Sequence, residues 1–204
     1  MRISELSERS GVPIPTIKFY IREGMLPRGE ASAATRAVYG DEHVARLRLI
    51  AALTQVAGLP LARVREVLEV IDAPPTDPIE AIGRAIGALP PYVDDDGDLS
   101  RARAAIEALG LTFDPRFTAV AQLESAIRAL EAAGLPSDPE TLRRYGDAMM
   151  QVAAGEVAPV ESMDTADAVE YAVLGTALYE PVMLALRRLA HQHRMVEGPP
   201  TPGR

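Results

Sequence analysis

Residues 16–26 read TIKFYIREGML. An aromatic pair, Phe19-Tyr20, lies between Lys18 and Arg22, and Gly24 closes the stretch ahead of Met25, Leu26 and Pro27. Only 4% of the chain is aromatic, so two adjacent rings between cations are a concentrated use of a scarce residue. Ile14, Ile17 and Ile21 recur at spacings of three and four, which predicts an amphipathic helix of about ten residues with glycine as its stop. The isoleucines take the buried side. Thr16, Lys18, Phe19, Arg22 and Glu23 occupy the rest, with Tyr20 at the boundary. Cations and a phenol hydroxyl can bind phosphate oxygens, and a ring can pack on sugar or a thymine methyl. Taken alone, the two aromatics read more readily as filling for a small core, so the neighbouring sequence decides.

Upstream, Ser4 is expected to cap a short helix, Glu5–Ser10, with Leu6 inward and Gly11 as its end. Two short helices joined by a tight glycine turn read as helix-turn-helix. Downstream, PRGEASAATRAVYG (27–40) is poor in large apolar groups and reads as a loop or short hairpin ending in Ala37-Val38-Tyr39. Asp41 is expected to cap a third helix to Ala57, with Val44, Leu47, Ile50, Ala51 and Leu53 inside and Gly58 closing it. Leu61–Ile71 is the fourth, with Leu61, Val64, Val67, Leu68 and Ile71 on its inner face.

Residues 1–72 resemble the DNA-binding domain of the MerR family of transcriptional regulators. The resemblance runs through RISELSERSGV, TIKFYIREGML, AVYG, DEHVARLRLI and GLPLARVREVLEVID, in that order and spacing, over about a third of the chain. It implies a winged helix-turn-helix in which residues 14–23 enter the major groove and residues 28–39 form a β-wing against the DNA backbone. Carried over residue by residue, it implies DNA contacts from Thr16, Lys18, Phe19, Tyr20 and Arg22, and a phosphate grip from Arg36 and Tyr39 in the wing. The chain departs from the family pattern at Pro13 and Pro15, which replace a polar cap and a frequent arginine. It departs again at Ile21, where glutamate is common, and in a wing that reads T-R-A-V-Y. Proline is tolerated in a first turn, whose amides have no helical partner.

The fold class expected is mainly α: an N-terminal winged helix-turn-helix with a short β-wing, followed by a C-terminal helical bundle. The expected organisation is a DNA-binding domain over 1–72, a connecting helix and linker over 73–98, a helical effector and dimerisation domain over 99–195, and a disordered tail over 196–204. Asp77-Pro78 opens the connecting helix, since aspartate caps and proline suits the first turn. At about three turns before Pro90-Pro91 it is short for the antiparallel coiled coil that joins family dimers. Four more helices are expected over 99–109, 115–133, 139–157 and 165–195, two of them opened by Asp114-Pro115 and Asp138-Pro139, with Pro181 kinking the last. Residues 165–195 are apolar enough to be a core helix of the bundle and to offer a remaining face for dimer contacts.

Composition narrows the function. The chain has 204 residues and no cysteine, which excludes disulfides, thiolate metal sites and cysteine nucleophiles. Residues 1–65 hold 10 Lys+Arg against 6 Asp+Glu, a charge of +4, and residues 66–204 hold 11 against 23, a charge of −12. A basic first third on an acidic body suits an anionic partner for that third alone. The N-terminus lacks a secretory h-region and no apolar run predicts a membrane span. Asp94–Asp98 resembles a calcium loop only superficially, because the later ligand spacing is missing. His191 and His193 lie about 200° apart on a helix, a poor chelating geometry, and His43 reads as a surface or helix-start residue. No catalytic grouping, metal site or cofactor site stands out, so no enzyme is expected.

The family resemblance thus implies a cytoplasmic, homodimeric regulator binding double-stranded promoter DNA. By the family resemblance it would distort the promoter so that RNA polymerase engages it. Metal- and redox-sensing members of the resembled family use cysteines, which this chain lacks, so if it senses anything the resemblance implies an organic small molecule in the helical region. Phe113, Phe117, Met149, Met150, Tyr171, Tyr179 and Met183 are candidate lining residues, although such residues at helical spacing are more often plain core. Two alternatives differ in function: a helical interaction or ligand-sequestering protein with weak DNA binding, and a DNA-binding regulator with no ligand.

Overall fold

The computed structural model describes residues 1–33, 36–93 and 97–197, with the side chains of residues 31–33, 36 and 161 outside the description. The described chain is helical nearly throughout. Its helices are α1 (Ile3–Ser10), α2 (Ile14–Arg22), α3 (Asp41–Ala51), α4 (Leu61–Asp72), α5 (Pro78–Gly87), α6 (Ser100–Ala108), α7 (Thr118–Ala132), α8 (Pro139–Val157) and α9 (Thr165–Glu197). One antiparallel hairpin, β1 (Glu30–Ala33) with β2 (Arg36–Val38), is set between α2 and α3. Contacts group the chain into two units: Met1–Gly58 with the chain from Leu174 onward, and Leu59–Val173.

In the first unit the helices pack on Leu6, Val12, Ile17, Leu26, Tyr39, Val44 and Leu47. Gly11 and Gly24, with φ of 71° and 74°, supply the left-handed residues that end α1 and turn the chain after α2. Helix α1 begins at Ile3, two residues before the expected start, and Ser4 is not its cap: Arg2 stands at that position with no side-chain capping bond. Met1 accounts for the early entry. Its amine donates to the Tyr39 carbonyl at 2.7 Å and its carbonyl accepts from the Tyr39 amide at 2.9 Å, so the residue is held beside the end of the hairpin. Helix α3 likewise has Gly40 as its cap residue, with Asp41 already helical. The helix expected to run to Ala57 changes to a π-helical turn over Ala52–Val56, where Thr54 Oγ1 donates back to the Ile50 carbonyl at 2.8 Å.

In the second unit α4 buries Val64, Val67, Leu68, Val70 and Ile71, while Leu61, expected inside, is exposed. Asp77 caps α5 by accepting the Ile79 amide at 2.9 Å. Asp138 caps α8 by accepting the Glu140 and Thr141 amides. Asp114 does not open α7, which starts at Thr118 after Phe117; it closes a turn by accepting the Arg116 amide at 3.0 Å. Helices α6 and α7 share a small core of Ala102, Ile106 and Val120, with Leu99, Phe113 and Leu123 packed against it.

Two helices leave apolar surface uncovered. No residue of α8 is buried. Helix α9 buries Ala168, Val169, Val173 and Ala177, continues through Pro181, and from Leu178 onward exposes most of its large apolar side chains. The core role expected of residues 165–195 therefore holds for the first part of the helix and not for its C-terminal part. By length and composition alone α9 is long and apolar enough to cross a membrane, against the expectation of no such segment, although three arginines and two histidines crowd its last eleven residues. The acidic stretch at Asp94–Asp96 and the tail beyond Glu197 lie outside the described residues.

Candidate nucleic-acid interface

The turn between α1 and α2 is fastened by serines. Ser7 Oγ donates to the Val12 carbonyl at 2.7 Å, and Ser10 Oγ donates to the Leu6 carbonyl while accepting the Val12 amide at 3.3 Å. Val12 is buried beside Ile17, which is fully buried. Pro13 stands at the cap with no side-chain bond and Pro15 sits in the first turn. The helix still starts, because the Pro13 carbonyl accepts the Ile17 amide at 3.0 Å and a first-turn proline forfeits no helical hydrogen bond.

With Ile17 inward and Ile14 and Ile21 half-buried, Lys18 and Arg22 are exposed, and Thr16, Phe19 and Tyr20 are intermediate. The Arg22 guanidinium lies 5.4 Å over the Phe19 ring and its Nε is 3.5 Å from Glu23 Oε1. Phe19 thus both covers the helix surface and orients a cation, a contact worth about 0.5–1 kcal/mol at an exposed site. Its ring is 5.7 Å from that of Tyr20. Tyr20 packs against the core, and burial raises its phenol pKa. The Tyr20 carbonyl accepts both the Met25 and Leu26 amides, at 2.9 and 3.2 Å, which folds the chain sharply after Gly24. The sequence names Tyr20 as a contact; the structure makes it also the pivot of that turn.

The wing starts from a close approach. A Cβ on Gly29 would stand 2.7 Å from the Val38 carbonyl oxygen and 3.0 Å from the Tyr39 ring, so only glycine fits. The register pairs Glu30 with Val38 and Ala31 with Ala37, with an irregularity before Ala33. Arg36 is the first residue of β2, and its side chain lies outside the described residues. Tyr39 is only 7% exposed, its ring in the core and edge-on to His43 at 5.1 Å. Its placement differs from that of an exposed wing tip, because the residue is spent on joining the hairpin to Met1 and α3.

His43 differs from the sequence reading as well. It stands in the first turn of α3 as expected, but it is buried at 5% exposure. Two further residues escape sequence reasoning. Arg46 of α3 donates from Nε to the Met25 carbonyl at 3.0 Å, and exposed Arg28 adds a cation between α2 and the wing. Arg28 carried a readable signal as an arginine beside Pro27 in the loop after α2; Arg46 carried none, since its partner is 21 residues away.

Residues 1–70 match the model of the MerR HTH family regulatory proteins. Over its whole length the chain is 32% identical to a proposed transcriptional regulator from Streptomyces coelicolor A3(2) whose crystal structure it resembles, with all of both chains covered and a TM-score of 0.73. The chain belongs to the MerR family. No curated protein matches it. This MerR-family chain thus carries a winged helix-turn-helix followed by a helical C-terminal region with a solved counterpart.

That region contains a cavity of about 220 Å³ between α6, α7 and the start of α8, lined by Arg101, Ala105, Leu109, Ile127, Glu131 and Leu142 among others. None of the apolar candidates picked from the sequence lines it. Phe113 instead lies under the Arg103 guanidinium at 4.2 Å, and Phe117, Met149, Met150 and Tyr179 are exposed. Beside the cavity Glu124, 2% exposed, accepts the Ala102 amide at 2.8 Å and pairs with Arg101 at 3.1 Å. Arg101 also pairs with Glu131 at 2.8 Å. Among the described residues no cluster of metal-ligating side chains occurs.

Proposed function

We propose that this MerR-family protein is a cytoplasmic, non-enzymatic transcriptional regulator that binds double-stranded promoter DNA through α2. The observation that carries the reading is the outward presentation of Lys18 and Arg22 on a helix whose other side is seated on Ile17. Lys18 and Arg22 neutralise phosphates, Thr16 and Phe19 meet base edges and sugar, and Tyr20 supports the helix from beneath. Arg36 grips phosphate from the wing, and Tyr39 acts there chiefly by holding the wing in place. The protein works as a homodimer on a pseudo-palindromic site, bending and untwisting the promoter for RNA polymerase, so that specificity comes partly from DNA deformability. The uncovered apolar face of α9 supports the dimer. An organic small molecule is the effector, since the chain has no cysteine, and the cavity beside Arg101 supports a place for it.

The test is fluorescence anisotropy on the DNA upstream of the gene, across a salt series, for wild type and the Lys18→Ala/Arg22→Ala double variant. Salt-sensitive binding that the double variant loses supports α2 as the reading helix. Absence of wild-type binding at low salt refutes the reading, and unchanged binding by the variant moves the site off this helix.

A further inference from the structure

The junction between the wing and α3 is closed by one side chain. His43 Nδ1 accepts the Gly40 amide at 3.0 Å, performing the reach back to the cap residue that glutamate or glutamine usually supplies at this position. The imidazole stands edge-on to Tyr39, 5.1 Å away and at 88°. Tyr39 directly follows β2 and is bonded through both its amide and its carbonyl to Met1. The ring is 5% exposed, and its Nε2 is buried without a hydrogen-bond partner among the described residues. The Glu42 Oε1 atom lies 2.8 Å from the same Nδ1. A nitrogen that accepts from Gly40 carries no proton, so the Gly40 and Glu42 contacts exclude one another as attractive interactions. Two further charged contacts stand near this junction among the described residues: the Arg9–Asp41 pair, which ties α1 to the first residue of α3 at 2.7 Å, and the Met1 amine on the Tyr39 carbonyl.

We propose that His43 is the positioning residue of the wing: in its neutral form it locks Gly40 and Tyr39 and so aims the hairpin, and protonation at Nδ1 exchanges Gly40 for Glu42 and releases that lock. The proposal deepens the DNA-binding reading and rests on it for its effect on affinity. The N-terminus of α3 opposes a positive ring while Glu42 favours one, so the junction holds two alternatives separated by one proton.

The experiment compares wild type with His43→Asn, whose Oδ1 can accept the Gly40 amide without titrating, and with His43→Leu, which keeps bulk and forfeits the bond. DNA affinity is followed from about pH 8 to about pH 5, and the Gly40 amide resonance and its hydrogen exchange are followed in the free protein. Expected results are a wild-type affinity that falls with acidification, a flatter profile for His43→Asn, and about a fivefold loss for His43→Leu at high pH, the equivalent of one hydrogen bond. The Gly40 amide should move with the same midpoint as the His43 ring. Superimposable pH profiles for wild type and His43→Asn overturn the proposal. So does a Gly40 amide indifferent to His43 titration, a readout that needs no DNA and therefore separates this failure from failure of the DNA-binding reading.

Discussion

Arg46 Nε and the Met25 carbonyl oxygen are 3.0 Å apart, and this bond ties α3 to the turn that ends α2. Met25 itself is 1% exposed and its amide is held by the Tyr20 carbonyl. The turn is thus held from both sides, and with it the direction in which Lys18 and Arg22 point. Arg46→Met keeps the aliphatic stem and removes the bond. Urea unfolding should show a loss of about 1.5 kcal/mol, the size of a hydrogen bond to a charged group, together with weaker DNA binding at an unchanged salt slope.

Gly29→Ala places a methyl against the Val38 carbonyl and the Tyr39 ring. Neither can withdraw freely, because Val38 is in the hairpin and Tyr39 is bonded to Met1. A destabilisation of about 1–3 kcal/mol is expected from overpacking, and anisotropy should show reduced affinity. A variant with wild-type stability and affinity would mean that the wing root has room the geometry does not show.

Glu124 is a buried carboxylate satisfied by the Ala102 amide and the Arg101 guanidinium. Glu124→Ala leaves the buried Ala102 amide at the start of α6 unpaired, at a cost of about 1–3 kcal/mol, while Arg101 keeps Glu131. Glu124→Gln keeps an acceptor for Ala102 and should cost less. Equilibrium unfolding of the two variants checks the order.

Asp114 and Asp138 give the acid dependence of the second unit. The Arg116 guanidinium and amide lower the Asp114 pKa to about 2. The Thr141 amide and hydroxyl lower that of Asp138. A carboxylate depressed in the folded state adds stability that is present above its unfolded pKa of about 3.9 and is lost as pH falls through the folded value. Asp114→Asn should therefore lower Tm at neutral pH, with the gap to wild type closing between about pH 4 and about pH 2. Asp138→Ala should do the same and speed exchange of the Glu140 and Thr141 amides.

Leu186 is 59% exposed on the same face of α9 as Val182 and Leu189, at 48% and 57%. If that face joins two copies, Leu186→Glu should convert a dimer to a monomer in sedimentation velocity without altering the helical circular dichroism. A wild-type monomer at micromolar concentration would count against the dimer, and a dimeric variant would move the interface elsewhere.

Much of this architecture is legible from neighbours in sequence. The isoleucine spacing marks α2, Gly11 and Gly24 mark the ends around the helix-turn-helix, and Asp77 and Asp138 mark two helix starts. The misreadings share one cause. Ser4 and Asp114 are sound local capping signals, yet one helix starts early because Met1 is engaged by Tyr39, and the other starts late because Asp114 is used within a turn with Arg116. The burial of Glu124 depends on a partner supplied by another segment, Arg101.

By itself the sequence determined the helices, their glycine stops and the pairing of Lys18 with Arg22 on one helical surface, because helix periodicity and left-handed turns are settled within a few residues. Only the tertiary structure decided that Tyr20 and Tyr39 turn inward, that Arg46 holds the end of α2, and that α9 leaves its C-terminal face bare. Burial and long-range hydrogen bonding depend on which segments meet in space, and no local pattern carries that information.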